Sequence, residues 1–202
     1  MKYKPYAELK QQLNHIPNTK ERILLKLIYV GCARVGEIVR HRYKPKLNPP
    51  LQRNNIDITP NFLYLNIKTE KRNVDRTVTI SRLDNPSHEF YKKSEAWLTE
   101  EIITYAKHNP ILFDYSVRWA QKKFKKYFPD NHIHELRKWR ATHLLSGEAT
   151  GVPLPERLVA KHGGWFGTAT LTKFYDGTNV SSYVGVDEAA KRKNLGGFVS
   201  EV

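Results

Sequence analysis

The stretch HIHELRKWRATHLLSGEATGVPLPERLVAKHGGWFGTATLTKFYD, residues 132–176, decides how the rest of the chain is read. Its first third has helical periodicity: Ile133, Leu136, Ala141, Leu144 and Leu145 make one apolar stripe, and Gly147 is a natural stop. His134 and Arg137 lie three apart and so share a helical face. One accepts protons near neutral pH, and the other is a permanent cation whose planar fork grips a phosphate through two parallel bonds. Pro153 and Pro155 punctuate the next loop, with Pro155 placed as the first residue of a short helix running to position 161. Gly163-Gly164 then turns the chain into Trp165, and Thr168 is a candidate cap for a last short helix carrying Tyr175. A phenol at that place is a candidate nucleophile for a phosphate held by Arg137.

Upstream, residues 1–17 read as a lead-in with a short helix over 7–13, and Asn18 with Glu21 forms a capping-box pattern. Leu24, Leu27 and Ile28 follow helical spacing to position 30, and Val35, Ile38 and Val39 resume it after Gly31. Between the two pieces, Arg34 stands among small residues with Glu37 three positions on. A Gly-flanked arginine alone is more often salt-bridged than catalytic. Residues 41–55 carry three prolines and read as a loop. A three-strand meander follows, with Ile56 and Ile58 alternating, a turn at 59–61, a strand over 62–67, a polar turn at 68–73 and a strand over 74–80. Lys68 enters that turn and Lys71 and Arg72 sit at its tip, where charge is ordinarily just solvated.

A helix is expected over 94–108, with Trp97, Ile102 and Tyr105 among its apolar positions and Pro110 ending it. The segment 114–128 predicts a two-faced helix. Val117, Ala120, Phe124 and Tyr127 line one side and Arg118, Lys122, Lys125 and Lys126 another, an arrangement suited to lying along a sugar-phosphate backbone. One more helix is a candidate over 186–194.

Composition supports a nucleic-acid partner. Of 202 residues, 34 are Lys or Arg and 20 are Asp or Glu, a net charge of +14 spread through a folded-looking chain. The single Cys32 rules out a disulfide framework and Cys-rich zinc modules. No apolar run is long enough to cross a bilayer and the first ten residues hold no apolar signal core, which points to the cytoplasm. His134-Glu135 starts a zinc-protease pattern, but position 138 is lysine and the pattern fails.

Taken in order, these segments resemble the boxes of the tyrosine recombinases (integrases). GCARVGEIVR resembles the first-arginine box, with its Gly-x-x-Arg-x-x-Glu core. HELRKWRATHLL resembles the His-x-x-Arg box, including its Ala-Thr-x-Leu-Leu continuation, and GGWFGTATLTKFYD resembles the Gly-His/Trp segment leading to the nucleophilic tyrosine. Lys68-Thr69 falls where the family keeps its catalytic lysine. The resemblance covers residues 18–178, with 179–202 as a tail and a candidate for docking on a neighbouring protomer.

The resemblance implies an α+β, mainly α-helical catalytic domain with a small three-stranded antiparallel sheet. It implies a site-specific DNA recombinase acting through a 3′-phosphotyrosine, for integration or excision of a mobile element. The alternatives are a dimer resolvase, a nicking-closing enzyme of topoisomerase type, or a non-catalytic DNA-binding protein on the same fold. Arg34 and Arg137 would clamp the scissile phosphate, Tyr175 would attack it, and His134 would accept the phenol proton. Lys68 would protonate the leaving 5′ oxygen, Trp165 would donate its indole N–H to the phosphate, and Glu37 would orient Arg34. Lys71 stays open beside Lys68, His162 beside Trp165, and Tyr183 is a second tyrosine; His132 and His143 read as surface or packing residues. Arg118, Lys122, Lys125 and Lys126 are expected on DNA, as are Lys71 and Arg72. No metal, ATP or other cofactor is implied. The partners implied are double-stranded DNA and further copies of the chain, as a tetramer on paired sites. Eighteen residues precede the first catalytic helix, too few for the family's N-terminal clamp domain, so weaker and less selective DNA binding is expected.

Overall fold

The computed structural model describes residues 3–40, 49–69, 74–169 and 171. The candidate nucleophile Tyr175, the hairpin tip with Lys71 and Arg72, Tyr183, the tail and the helix expected over 186–194 lie outside the described residues. The architecture is mainly helical: α1 (Tyr6–Asn14), α2 (Thr19–Val30), α3 (Val35–Ile38), β1 (Ile56–Ile58), β2 (Phe62–Lys68), β3 (Asp75–Ser81), α4 (Ala96–His108), α5 (Val117–Tyr127), α6 (His134–Ser146) and α7 (Glu156–Gly163).

Helix α2 forms at the centre because its apolar residues run almost all round it, with Ile23, Leu24, Leu25, Leu27, Ile28, Tyr29 and Val30 buried. It packs against α1, α4, α5 and α6. Asn18 caps it, its side-chain oxygen accepting from the Glu21 amide at 3.0 Å. Only half of the expected capping box forms. The Glu21 carboxylate turns to α5, where it pairs with Lys123 and accepts from the Tyr127 hydroxyl. Leu9 and Leu13 of α1 join the same core, which reaches Leu136 and Trp139 of α6.

The sheet has the order β1-β2-β3 and is antiparallel throughout. Alternation places Leu63, Leu65 and Ile67 of β2 and Val78 and Ile80 of β3 on the core face. Register sets Ile67 opposite Arg76 and Lys68 opposite Asp75. Of the alternating pair on the edge strand β1, Ile56 is buried and Ile58 is 36% exposed.

Other departures are local. Helix α4 starts at Ala96 and not at position 94, a 3₁₀ turn at Arg53–Asn55 interrupts the expected loop, and Pro155 precedes α7 as its cap. Gly147 ends α6 in the left-handed region at φ 79°, as its place after the apolar stripe predicts. Behind α6, Arg140 donates two hydrogen bonds to Glu95, at 2.5 and 2.7 Å, with both side chains out of water. Arg140 is one helical step from Arg137, so this pair fixes the rotation of the helix that carries the candidate site. No helix among the described residues is long and apolar enough to cross a membrane.

Candidate active site

The turn after α2 builds the first half of the site. Cys32 takes a positive φ of 47°, a costly conformation for a residue with a Cβ, and leads into Arg34 at the start of α3. One turn later, Glu37 folds back on Arg34. Its Oε1 accepts from the Arg34 guanidinium at 2.9 Å and its Oε2 accepts from the Arg34 amide at 3.1 Å. The Arg34 side chain remains 21% exposed while that of Glu37 is fully buried.

Arg137 enters from α6. Its Nη1 donates to the Cys32 carbonyl at 2.6 Å and lies 4.0 Å from Glu37 Oε2, while the Cys32 thiol donates to the Arg137 carbonyl at 3.3 Å. The guanidinium is only 1% exposed, and its Nη2 has no hydrogen-bond partner among the described residues. A buried donor left open in this way costs free energy unless something accepts from it. Burial alone would raise the Glu37 pKa; Arg76 and Arg137 overcome it and hold the carboxyl below its ordinary value. Glu37 is therefore an anion that gathers arginines.

Arg76 is the member that sequence reading missed. It opens β3 on the core-facing side and donates Nη2 to Glu37 Oε2 at 2.9 Å and Nη1 to the carbonyls of Gly31 (2.8 Å) and His162. The period-two run Arg76, Val78, Ile80 held the signal, since it puts an arginine where a core residue belongs.

His134 is the first residue of α6 and is half-buried. Burial, reinforced by Arg137 and Arg34, pushes its pKa down to about 4, so the imidazole is neutral at pH 7 with one ring nitrogen able to accept a hydrogen bond, and a weaker base than an exposed histidine. Lys68, at the end of β2, lines a cavity of about 400 Å³ together with Glu37, Asn54, Asn55, Asn66 and Asp75. Lys68 thus faces the same cavity as the carboxylate that organises the arginines.

Trp165 lies half-buried with its ring 4.3 Å from the Arg137 guanidinium, a cation–π stack. The two glycines before it explain the contact. A Cβ on Gly163 would enter the Trp165 ring, and Gly164 needs φ +68° and has the Arg76 and Thr69 side chains within 2.9 Å of where a Cβ would stand. His162 is placed differently. It is buried, its Nε2 lies 3.1 Å from the Val30 carbonyl, and burial together with Arg140 and Arg76 pushes its pKa well down. Since a carbonyl only accepts, Nε2 carries the proton in this neutral ring. His143 is likewise a packing residue, held between the Tyr29 hydroxyl and the Lys4 carbonyl, both at 2.8 Å, and His132 is exposed.

The basic face of α5 is open. Ala120 and Phe124 anchor the helix, and Arg118, Lys122, Lys125 and Lys126 are exposed. Lys125 donates to the Pro129 carbonyl at 2.8 Å and Lys126 lies 3.6 Å from Glu21, contacts weak enough at the surface to yield to a phosphate. The helix packs on α2 and on α3, next to Arg34.

No family model and no curated protein matches the sequence. Solved structures do. The chain is similar to the XerA recombinase (TM-score 0.62, 18% identity, 94% of this chain and 65% of that one). It is also similar to the XerH site-specific recombinase bound to its difH substrate (0.60, 15%, 93% and 53%). A third is a lambda integrase dimer bound to a COC′ core site (0.53, 15%, 85% and 57%). The chain thus has the fold of the tyrosine recombinase catalytic domain, and it spans between half and two thirds of the length of these structures.

Proposed function

We propose that the chain is the catalytic part of a site-specific DNA recombinase, which cuts and rejoins DNA through a 3′-phosphotyrosine in the integration or excision of a mobile element. The observation that carries this reading is the convergence of Arg34 and Arg137 on the buried Glu37, with Arg137 Nη2 left open beside a neutral His134. Two arginines fixed on a shared carboxylate are preorganised for the charge that builds on non-bridging oxygens as phosphorus becomes pentacoordinate.

The reaction is assigned to these residues as follows. The Tyr175 phenol oxygen attacks phosphorus and its proton passes to His134. The bond to the 5′ oxygen breaks, and Lys68 supplies the proton to that oxygen. Arg34 and Arg137 hold the phosphate throughout, and Trp165 moves its indole N–H onto a phosphate oxygen. Attack of a different 5′-hydroxyl on the phosphotyrosine reverses the step and joins new ends. The exposed bases of α5 take the flanking backbone. Assembly on paired sites as a tetramer, with 179–202 docking on a neighbour, belongs to the same proposal, as does action on DNA in the cytoplasm.

The test uses nicked duplexes that lose their 5′ fragment on cleavage, in EDTA, with wild type beside Arg34→Ala and Arg137→Ala. The expected result is a denaturant-resistant protein–DNA adduct from wild type and none from either variant while both still bind DNA. An adduct of equal yield from Arg137→Ala would remove the assignment. DNA binding without an adduct from wild type would favour a non-catalytic DNA-binding protein.

A further inference from the structure

We propose that Arg76 is a positioning residue for the phosphate clamp, holding the Glu37 carboxylate so that Arg34 and Arg137 present their guanidinium groups at fixed places. The inference rests on the function proposed above and adds to it a residue from a separate element, the sheet.

The geometry divides Glu37 between its partners. Oε1 takes Arg34 at 2.9 Å. Oε2 takes Arg76 at 2.9 Å and the Arg34 amide at 3.1 Å, and has Arg137 at 4.0 Å. Arg76 and Arg137 also use consecutive carbonyls of one turn, Gly31 for the first and Cys32 for the second. The strained Cys32 conformation aims the second of these at Arg137. The remaining bond of Arg76, to the His162 carbonyl, ties in α7, whose end carries Trp165 over the face of Arg137. One buried guanidinium therefore ties together the turn, α3 and α7, the pieces that contact the Arg137 guanidinium directly or through Trp165.

Loss of Arg76 would remove the shorter of the two hydrogen bonds described at Oε2, keeping the Arg34 amide at 3.1 Å, and would let the carboxylate and Arg137 Nη1, now 4.0 Å apart, approach one another. Closing that gap to an ordinary 2.9 Å contact displaces Arg137 by roughly 1 Å, a misplacement that costs about 100-fold in rate when it reaches a reacting group. Lysine at position 76 keeps the charge, but its donors all radiate from one nitrogen, whereas the arginine spreads its three bonds over two nitrogens of a planar fork.

The experiment measures the single-turnover rate of adduct formation on nicked duplexes and the DNA Kd, using the full chain. The proteins are wild type, Arg76→Lys, Arg76→Gln, Glu37→Gln and the two doubles, each checked for folding by its thermal midpoint. Arg76→Lys keeps the measurement open should Arg76→Gln unfold. The expected result is a cleavage loss of about 10- to 100-fold with Kd changed by less than about 3-fold, and double variants no slower than the slower single. A merely structural role predicts losses that multiply in the doubles, or that track the thermal midpoint or Kd, and any of these would overturn the proposal. Wild-type cleavage by Arg76→Gln would do so too. An adduct absent from wild type would remove the parent reading, and the role of Arg76 with it; multiplying losses beside an active wild type would remove Arg76 alone.

Discussion

Gly163→Ala isolates the contact between Trp165 and Arg137. A Cβ at position 163 would stand 2.7 Å from Cη2 of the Trp165 ring and closer still to Cζ3 and Cε3, where ordinary contact begins near 3.4 Å. The indole must retreat by more than about 1 Å, off the Arg137 guanidinium that it now covers at 4.3 Å. Two effects oppose each other in stability. Alanine in α7 gains roughly 0.5–1 kcal/mol over glycine, and the lost stack gives back about 0.5–2 kcal/mol. Overpacking strain adds about 1–3 kcal/mol, so the net loss stays below about 5 kcal/mol, and the urea titration separates it from any loss of rate. Cleavage is a different matter, since the displaced indole and the guanidinium it uncovers are both assigned to the phosphate and a 1 Å error there costs about 100-fold. The assay pairs a urea titration with the adduct rate on nicked duplexes. Wild-type cleavage by the variant would refute the reasoning, and so would a loss explained entirely by unfolding.

Three further outcomes are expected. Glu95→Ala leaves Arg140 buried without its carboxylate, at a cost of about 3–5 kcal/mol read from the urea midpoint; a loss under about 1 kcal/mol would contradict the buried pair. His134 and His143 are pushed down to about 4 and His162 well below its ordinary value, all chiefly by burial, so the unfolded chain binds protons that the folded chain refuses. Stability is accordingly full above about pH 6.5 and falls toward pH 4, by up to about 1.4 kcal/mol per pH unit for each of the two fully enclosed rings, His143 and His162. A urea midpoint flat between pH 7 and 5 would contradict this. Replacing Lys122 and Lys125 by Gln should reduce the slope of log affinity for DNA against log salt by about 1 to 2, and an unchanged slope would take α5 off the DNA.

Helix α5 and the meander were legible because their burial is periodic: Ala120 and Phe124 on one side of α5 and the alternation of Leu63, Leu65 and Ile67 are visible in the letters alone, whereas α6 is buried from Trp139 to Leu144 without a break, more than its apolar stripe shows. Events between distant residues were not. Glu37 stands next to Arg34 in the chain, but nothing local says that Arg76 and Arg137 come to the same carboxylate. Glu21 matched a capping box and yet serves Lys123 and Tyr127 from α5, a choice made by tertiary packing. His162 and Trp165 differ by three positions, and only the fold turns one ring to the Val30 carbonyl and the other to a guanidinium.

The most direct test of the whole account is the identity of the nucleophile. Nicked duplexes incubated in EDTA with wild type, Tyr175→Phe and Tyr183→Phe, followed by mass spectrometry of the digested adduct, would locate the phosphorylated residue. The account predicts a 3′-phosphoryl link on Tyr175, a free 5′-hydroxyl on the other strand end, and no adduct from Tyr175→Phe alone. An undiminished adduct from Tyr175→Phe would contradict it.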